Sequence, residues 1–356
     1  MSERGTSNLK LSDVSEKNGE FSVFGASGYI GSVDFYQQGY PYVAVVKDGA
    51  GIGRAMLCPG KTSVIGTMQY LLPKDNILPK YLFYVVKYMN LEKYFTGATI
   101  PHIYFKDYKN EEFNFDFWER QVEIVSVLSK CEKVIDLCKQ ELQLLDKLIK
   151  ARFVEMFGDV IHNSKKWQVC LFAEITSSRL GKMLDAKQQT GRNSYPYLAN
   201  FNVQWFRFNL ENLNKMDFDE KDRAEFELRE GDLLVCEGGE IGRCAVWHNE
   251  LQPCFFQKAL HRVRCNHQII LPDYLAWWFR YNCDYGGFSA LAGAKATIAH
   301  LPGAKLKQLQ VAVPPMELQE QFAVFVAQTD KSKVAVQKAL DEAQLLFDSL
   351  MQEYFG

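Results

Sequence analysis

Residues 119–158 read ERQVEIVSVLSKCEKVIDLCKQELQLLDKLIKARFVEMFG, and residues 317–356 read ELQEQFAVFVAQTDKSKVAVQKALDEAQLLFDSLMQEYFG. The two stretches align without a gap: Glu119 matches Glu317, Gln121 matches Gln319, and both end in Phe-Gly. Each follows a longer and less regular part of the chain. The unit that repeats is therefore a globular domain followed by one long helix, and it is too long to be a solenoid repeat.

The apolar side chains of both copies follow a heptad seam, in alternating steps of four and three residues. This pattern predicts two helices of about 40 residues, each about 60 Å long at 1.5 Å per residue. Thr329 and Lys333 interrupt the second seam, which predicts looser packing at its centre. The seam residues are Ile124, Leu128, Ile135, Leu142, Leu145 and Ile149 in the first copy, and Phe322, Val326, Val336, Leu340, Phe347 and Leu350 in the second.

Chain order limits how the helices can pair. The first helix leaves one domain and leads into the next, so paired helices must run antiparallel with a domain at each end. We therefore predict an α+β fold with two globular domains separated by two long antiparallel coiled-coil helices, a pseudo-twofold internal repeat. Domain one is placed at residues 1–117, the central helix at 118–158, domain two at 159–313 and the C-terminal helix at 314–356. In the alternative, each helix packs only on its own domain.

Each domain contains one glycine-rich unit, VAVVKDGAGIGRAMLC at 43–58 and DLLVCEGGEIGRCAVW at 232–247. Apolar, β-branched runs on both sides of the glycines predict a β-hairpin whose turn needs positive φ. A short helix is predicted after each hairpin, at 78–89 and 271–282, and a loop ending in a histidine then precedes each long helix. Domain two is the longer, with most of its extra residues before its hairpin.

Composition narrows the class of protein. The 356-residue chain has the apolar and charged fractions of a globular protein, and no apolar run approaches a membrane span. Its nine cysteines form no CxxC pair and the first residues show no secretory leader, which predicts a reduced, cytoplasmic protein. The net charge of −2 argues against a surface that binds polyanions everywhere, but local basic faces remain compatible with it.

No motif indicates a catalytic centre. Residues 55–62 (AMLCPGKT) loosely match a phosphate-binding loop, but Pro59 and the apolar stretch that follows favour a turn. The hairpin glycines lie between strands, whereas a dinucleotide loop leads from a strand into a helix. Two cysteines and two histidines within 254–267 lack the spacing of a zinc site. We therefore expect neither a catalytic residue nor a metal in this chain.

Polar and aromatic side chains on the two domains are the remaining candidates. Their residue types are those that contact DNA phosphates and base edges. Each alone is more often a solvated surface group, but two sets on two similar domains indicate two-part reading of a duplex. The candidate DNA-binding residues are Tyr29, Lys47, Arg54, Lys61, His102 and Lys106 in domain one, and Arg179, Lys182, Lys187, Arg192, Asn193, Tyr195, Asn200, Arg243, Lys258 and Lys295 in domain two.

This organisation resembles the specificity subunit of type I restriction-modification enzymes. The residues that carry the resemblance are FSVFGASGYIG (21–31), WERQVEIV (118–125), ARFVEMFGD (151–159), GDLLVCEGGEIGR (231–243) and MELQEQFAVFV (316–326). It covers essentially the whole chain. It implies two target recognition domains, each contacting one half of an asymmetric, bipartite DNA site, and helices that set the length of the unread spacer.

The resemblance also implies partners. Two methyltransferase subunits would bind S-adenosylmethionine and methylate adenine at N6 after flipping the base. Two restriction subunits using ATP and magnesium are further partners that it allows, and this chain would be non-catalytic and hold no cofactor. Two alternatives stay open: a stand-alone bipartite DNA-binding scaffold or regulator without a methyltransferase partner, and an enzyme that binds ATP through the Lys61 loop.

Overall fold

The computed structural model describes residues 1–15, 19–96, 101–185, 189–288 and 300–356. The chain forms two compact units, one of Met1–Leu142 with Ala335–Gly356 and one of Gln143–Val334. The boundary falls within both long helices, α4 (Trp118–Phe157) and α9 (Met316–Phe355), which are numbered in chain order and are each uninterrupted. Each unit therefore contains one globular domain and one part of each long helix.

The first unit is built on two sheets. Its strands are β1 (Ser2–Thr6), β2 (Phe21–Gly25), β3 (Gly28–Val33), β4 (Tyr42–Val46), β5 (Ala55–Cys58), β6 (Ser63–Val64) and β7 (Met68–Pro73), and its short helices are α1 (Leu11–Ser15), α2 (Pro79–Tyr88) and α3 (Phe105–Tyr108). An antiparallel sheet has the order β1-β7-β4-β5. A second sheet has the order β3-β2-β6, in which β2 and β6 run parallel.

The second unit repeats these sheets and adds to them. Its strands are β8 (Gln168–Leu171), β9 (Thr176–Leu180), β10 (Ser194–Leu198), β11 (Val203–Gln204), β12 (Arg207–Phe208), β13 (Asn214–Asp217), β14 (Leu233–Cys236), β15 (Cys244–Val246), β16 (Phe255–Phe256), β17 (Leu260–Cys265) and β18 (Gln310–Val313), and its short helices are α5 (Phe172–Ile175), α6 (Glu220–Phe226), α7 (Pro272–Asp284) and α8 (Gly303–Lys307). The order β15-β14-β17-β9 matches β5-β4-β7-β1, and β13-β10-β16 matches β3-β2-β6 with its parallel pair in the same place. The predicted internal repeat is confirmed.

The two glycine-rich hairpins form as predicted, from β4 with β5 and from β14 with β15. Gly53 and Gly242 lie at equivalent positions of the turns, with φ of 78° and 77°. A Cβ atom at Gly53 would lie 2.5 Å from the backbone nitrogen of Glu92, so the turn needs glycine for space as well as for its φ. Within residues 55–62, Ala55–Cys58 belong to strand β5, and the turn at residues 59–62 that carries Lys61 leads into strand β6 rather than into a helix. This confirms the predicted turn at Pro59 and Gly60.

In the first unit, the start of α4 packs against the end of α9. Ile124, Leu128 and Ile135 are buried in one core with Phe347 of α9, and Leu340 and Leu350 pack against that core. Leu142 and Val336 are half-buried. Helix α2 supplies further side chains to the same core, including Tyr81 and Val85. The seam is therefore shared by three helices in this unit, and its two long helices run antiparallel.

In the second unit, the end of α4 packs against the start of α9. Ile149 is buried in one core with Phe322 and Val326, and Leu145 is half-buried. Helix α7 joins this core through Tyr274 in the same way that α2 joins the first. The antiparallel pairing is confirmed, and the alternative in which each helix packs only on its own domain is wrong. The seam does contact the domains, because α2 and α7 lie against it.

The polar positions of the second seam have partners. The Thr329 hydroxyl donates to the Phe325 carbonyl at 2.9 Å. Lys333 Nζ lies 2.7 Å from the Asp146 carboxylate of α4 and 3.1 Å from that of Asp330. Burial alone would lower the pKa of Lys333, but its hydrogen bond with Asp146 and the nearby Asp330 charge raise it above its usual value. The interruption is therefore bridged by an ion pair between the two long helices.

A buried glutamine joins each long helix to the loop before a short helix. Gln121 is 0% exposed, and its Oε1 accepts from the Leu78 amide at 2.9 Å. Its Nε2 donates to the carbonyls of Asn76 at 3.1 Å and Asp116 at 3.0 Å. The side chain therefore satisfies three backbone groups at the point where α4 begins and α2 is about to begin.

The second unit repeats this junction with Gln319, also 0% exposed. Its Oε1 accepts from the Leu271 amide at 2.9 Å, and its Nε2 donates to the carbonyls of Ile269 at 3.0 Å and Pro314 at 2.8 Å. The glutamine match in the sequence therefore marks a shared hydrogen-bonding role. Such a role suits a side chain that carries both a donor and an acceptor on one amide.

Replacing Gln319 with Ala should destabilise the second unit, because it leaves one buried amide and two carbonyls without partners. We expect Gln319→Ala to lower the free energy of unfolding by roughly 1–3 kcal/mol, measured by urea denaturation. Gln321→Ala is the matched control, because Gln321 is exposed on the same helix. Equal stability of the two variants would contradict the junction role.

Candidate nucleic-acid interface

Three of the six candidates in domain one meet beside the turn between β4 and β5. The His102 imidazole contacts the Asp48 carboxylate, and Lys47 Nζ lies 3.5 Å from the same group. The His102 ring centroid lies 4.1 Å from that of Tyr104, over which Lys106 Nζ lies at 5.1 Å. Aromatic and cationic groups are therefore side by side, with Asp48 offsetting part of the positive charge.

The other three candidates of domain one lie on neighbouring turns. Arg54 is exposed, and its guanidinium donates to the Ala26 carbonyl at 3.2 Å, in the turn between β2 and β3. Tyr29 follows that turn on β3 and is largely exposed. Lys61 is exposed on the turn after β5. Arg54 and Tyr29 therefore border one turn, and Lys61 lies on another.

The sequence interpretation missed the aromatic loop after β3. Tyr40 is 86% exposed, and Phe35 and Tyr36 are also exposed. Gln38 pairs with Thr62 through their backbones, which brings this loop beside the turn that carries Lys61. The signal was present in DFYQQGYPY, residues 34–42, where four aromatic side chains fall within nine residues. Exposed aromatic rings beside a lysine are suited to contact nucleic acid through stacking and charge.

In domain two, one group of candidates surrounds α6. Arg179 forms an ion pair with Glu225 at 2.5 Å. Lys182 Nζ donates to the Asp217 carbonyl at 2.7 Å and also contacts the Asp222 carboxylate. The Lys258 amide donates to the Lys182 carbonyl at 2.8 Å, while the Lys258 side chain is exposed.

Arg192 and Asn193 lie just before β10, close to the same group. The Asn193 carbonyl accepts from the Phe218 amide at 2.9 Å, and both side chains are exposed. Within the part of the chain that the structure describes, the Arg192 guanidinium has no ion-pair or hydrogen-bond partner. Tyr195, two residues further along, receives a hydrogen bond from Arg223 of α6 at 3.3 Å. This edge of domain two therefore exposes polar side chains, and hydrogen bonds to Phe218 and Arg223 fix its position.

Asn200 and Arg243 form a second group, at the β14–β15 hairpin. Arg243 Nη2 donates to the Asn200 carbonyl at 3.0 Å, and Asn200 Nδ2 donates to the Gly238 carbonyl at 3.2 Å. A Cβ atom at Gly238 would lie 3.1 Å from the His300 ring, so that imidazole lies against the hairpin tip. The candidates Lys187 and Lys295 lie outside the described residues, as do residues 97–100 and 296–299 of the two predicted loops.

The positively charged candidates fall into two groups, one exposed to solvent and one bonded to other groups of the protein. Lys61, Arg192 and Lys258 are exposed, which leaves their charge available to a phosphate or a base edge. The side chains of Lys182 and Arg243 are only 20% and 17% exposed and bond to groups of the protein itself. The first kind can bind a ligand directly, whereas the second kind mainly supports the surface.

The cysteines and histidines at residues 254–267 are candidates for a structural role and not for a metal site. Burial raises the pKa of the Cys254 and Cys265 thiols to about 12, which keeps them protonated at neutral pH. His261 is buried, and its Nε2 lies 3.1 Å from the Leu301 carbonyl. Across the described ranges, no group of three or more His, Cys, Asp or Glu side chains could hold a metal ion. No helix among those residues is long and apolar enough to cross a membrane.

Substitution of Lys182 and of Lys258 distinguishes a lysine that stabilises the fold from one whose side chain is exposed to solvent. Lys182→Ala should lower the free energy of unfolding by roughly 1–3 kcal/mol, because it removes charged hydrogen bonds to Asp217 and Asp222. Lys258→Ala should leave stability within about 0.5 kcal/mol, because its side chain is exposed. Thermal or urea unfolding measures the stability of both variants. An equal effect of the two substitutions would contradict the assignment of Lys182 to the fold and Lys258 to the exposed surface.

The chain shows similarity to proteins of known class. It is 23% identical over 176 residues to the candidate type I restriction enzyme MjaX specificity subunit of Methanocaldococcus jannaschii, a match that covers 48% of this chain and 41% of that protein. It is 28% identical over 93 residues to the type I restriction enzyme MjaIX specificity subunit of the same organism, covering 25% of this chain and 22% of that protein. These matches span less than half the length of either relative.

Two solved structures share the fold. The S subunit of a type I restriction-modification system from M. genitalium has a TM-score of 0.63 at 16% identity, covering 100% of this chain and 94% of that one. A chain from a study of assembly and conformational transition in the type I system has a TM-score of 0.57 at 13% identity, covering 98% and 94%. The sequence model for the type I restriction modification DNA specificity domain matches residues 4–147 and again 164–343. The chain therefore belongs to the type I restriction-modification DNA specificity family.

Proposed function

We propose that this chain is the DNA-specificity subunit of a type I restriction-modification complex. In this role its two recognition domains bind the two halves of a gapped DNA site and direct adenine-N6 methylation, and restriction, by associated subunits. The chain determines which DNA sequence is bound and catalyses no reaction itself. The observation that carries the proposal is the duplicated recognition domain, which the family model matches twice.

The differences between the two domains support reading of an asymmetric site. Their sheets share strand order and direction, so the scaffold alone would favour the same sequence in both half-sites. Domain two adds β11, β12 and α6 between β10 and β14, and α6 lies among candidates such as Arg179 and Lys182. Different surfaces on one scaffold are what two unlike half-sites require.

Linking two DNA-binding domains in one chain also raises the affinity for a site that contains both half-sites. A small domain that contacts a few base pairs gains modest affinity, but binding of the first raises the effective concentration of the second. The gain depends on a linker that holds the second reader near its half-site. Two uninterrupted helices of 40 residues each are stiffer than a flexible linker of the same length.

The partners in this proposal are double-stranded DNA, two methyltransferase subunits and, where restriction occurs, two restriction subunits. S-adenosylmethionine, ATP and magnesium are assigned to those subunits. The long helices carry apolar side chains outside the seam, which supports a role in docking. Leu144 and Leu148 lie one turn apart on α4 and are 62% and 49% exposed. Exposed apolar side chains on one helical face are typical of a protein interface.

Selection from random duplex DNA tests the proposal. The chain is co-purified with the methyltransferase subunit of its host and used to enrich bound duplexes, which are then sequenced. The proposal predicts one motif with two specified parts and an unspecified gap of fixed length. A complex that assembles but enriches no sequence would contradict it. If the chain alone selects a bipartite motif and binds no methyltransferase, the stand-alone scaffold is correct.

Combined replacement of Arg192 and Asn193 with Ala should alter only the second half-site. Both side chains are exposed beside β10, and loss of a base contact costs roughly 1–3 kcal/mol of discrimination. We expect the selected motif to lose information in the half read by domain two and to keep the half read by domain one. The reciprocal control is Arg54→Ala with Lys61→Ala in domain one. Equal relaxation of both halves in either variant would rule out modular reading.

A further inference from the structure

One acidic side chain of β13 holds the segment that carries Arg192 and Asn193. Asp217 Oδ2 accepts three hydrogen bonds, from the Thr190 amide at 2.5 Å, the Thr190 hydroxyl at 2.7 Å and the Gly191 amide at 2.9 Å. All three donors come from two consecutive residues. A single carboxylate oxygen therefore fixes the backbone immediately before Arg192.

The backbone beside Asp217 adds two further links to the same segment. The Asp217 amide donates to Gln189 Oε1 at 2.8 Å, and the Phe218 amide donates to the Asn193 carbonyl at 2.9 Å. The segment of residues 189–193, which we call the anchored loop, is thus bonded on both sides of its exposed tip. Lys182 holds the other side of the anchor, through its bond to the Asp217 carbonyl at 2.7 Å.

The three donors favour the ionised form of the Asp217 carboxyl. The hydrogen bond from the Thr190 hydroxyl, followed by those from the Thr190 and Gly191 amides, holds the pKa of Asp217 below its usual value. A carboxylate that accepts several amide hydrogens can fix a loop more firmly than a neutral acceptor can, because charge-assisted hydrogen bonds are stronger.

Domain one has an aspartate at the equivalent strand position. The parallel strand pairs match Val23, opposite Ser63, with Tyr197, opposite Phe255. On this register Val33, opposite Phe21, matches Met216, opposite Tyr195. The next residue, Asp34, therefore matches Asp217. Residues 16–18 of domain one, which correspond to part of the anchored loop, lie outside the described residues, so the anchoring contacts are those of the second domain.

We propose that Asp217 is a positioning residue for recognition of the second half-site: it holds the anchored loop so that Arg192 and Asn193 are presented to DNA in one geometry. The inference rests on the proposed function. A loop that is already ordered loses less entropy on binding, and its side chains discriminate better because they cannot shift to suit a wrong base. Asp217 does this without contacting DNA.

Two readouts of Asp217→Ala test the proposal, one of them independent of DNA. Hydrogen exchange of the Thr190 and Gly191 amides reports whether the carboxylate holds the loop. We expect exchange at least about 10-fold faster in the variant, since the loss of a hydrogen bond worth about 1.4 kcal/mol changes an opening equilibrium tenfold. Selection from random DNA in the full complex reports recognition. The second half-site should relax while the first stays unchanged.

Two further variants serve as a control and as a conservative replacement. Glu211→Ala is the matched control, because Glu211 is an exposed acidic residue shortly before β13 and, among the described residues, only its backbone amide is hydrogen-bonded. It should leave the selected motif unchanged. Asp217→Asn keeps an acceptor oxygen but loses the charge, and it should fall between wild type and Asp217→Ala in both readouts. It also serves if Asp217→Ala does not fold.

The outcomes separate this inference from the function on which it rests. Unchanged amide exchange in Asp217→Ala would show that the carboxylate does not hold the loop and would overturn the inference. Faster exchange with an unchanged second half-site would also overturn it, because the loop would then be held for another reason. If the wild-type complex selects no bipartite motif, the proposed function itself fails.

Discussion

Both halves of the molecule depend on an aromatic contact made by the last turn of a long helix. In the first unit, Phe355 of α9 packs on Tyr81 of α2, with ring centroids 5.4 Å apart. In the second, Phe157 of α4 packs on Tyr274 of α7 at 4.8 Å. Each of these helices begins in one unit and ends in the other, so neither core is complete without chain supplied from the other half of the sequence. Apolar burial of this kind is the main source of folding free energy, and here each core includes helical segments from both halves of the sequence.

The same constraint explains what the two domains share and where they differ. Residues that bury the seam or form the junction recur in both halves, because the pairs Phe157 and Phe355, Gln121 and Gln319, and Tyr81 and Tyr274 each make equivalent contacts. Residues away from this framework are free to diverge. The additions of domain two, β11, β12 and α6, lie on that divergent part. A framework shared by both domains, with different additions at its edges, allows one fold to carry two different surfaces.

The sequence predicted the repeat, the antiparallel helices and the glycine hairpins, because these follow from periodicity, chain order and the steric freedom of glycine. It did not predict that α2 and α7 join the seam, since a heptad pattern shows that a face is apolar but not how many helices cover it. Nor did it separate supporting cations from exposed ones. Lys182 and Lys258 are alike in the sequence, and only long-range contacts with Asp217 and Asp222 distinguish them. The anchored loop escaped notice for the same reason, because Thr190 and Asp217 are distant in the chain.

Methylome sequencing of cells that contain this chain and its methyltransferase, compared with cells lacking only the chain, shows whether the chain determines which DNA sequence is methylated. If the chain is the specificity subunit, N6-methyladenine will occur at a single gapped, two-part motif and disappear when the chain is removed, with each half of the motif traceable to one domain. Methylation that persists without the chain, or that is absent although the complex is shown to assemble, would contradict a role as the specificity subunit.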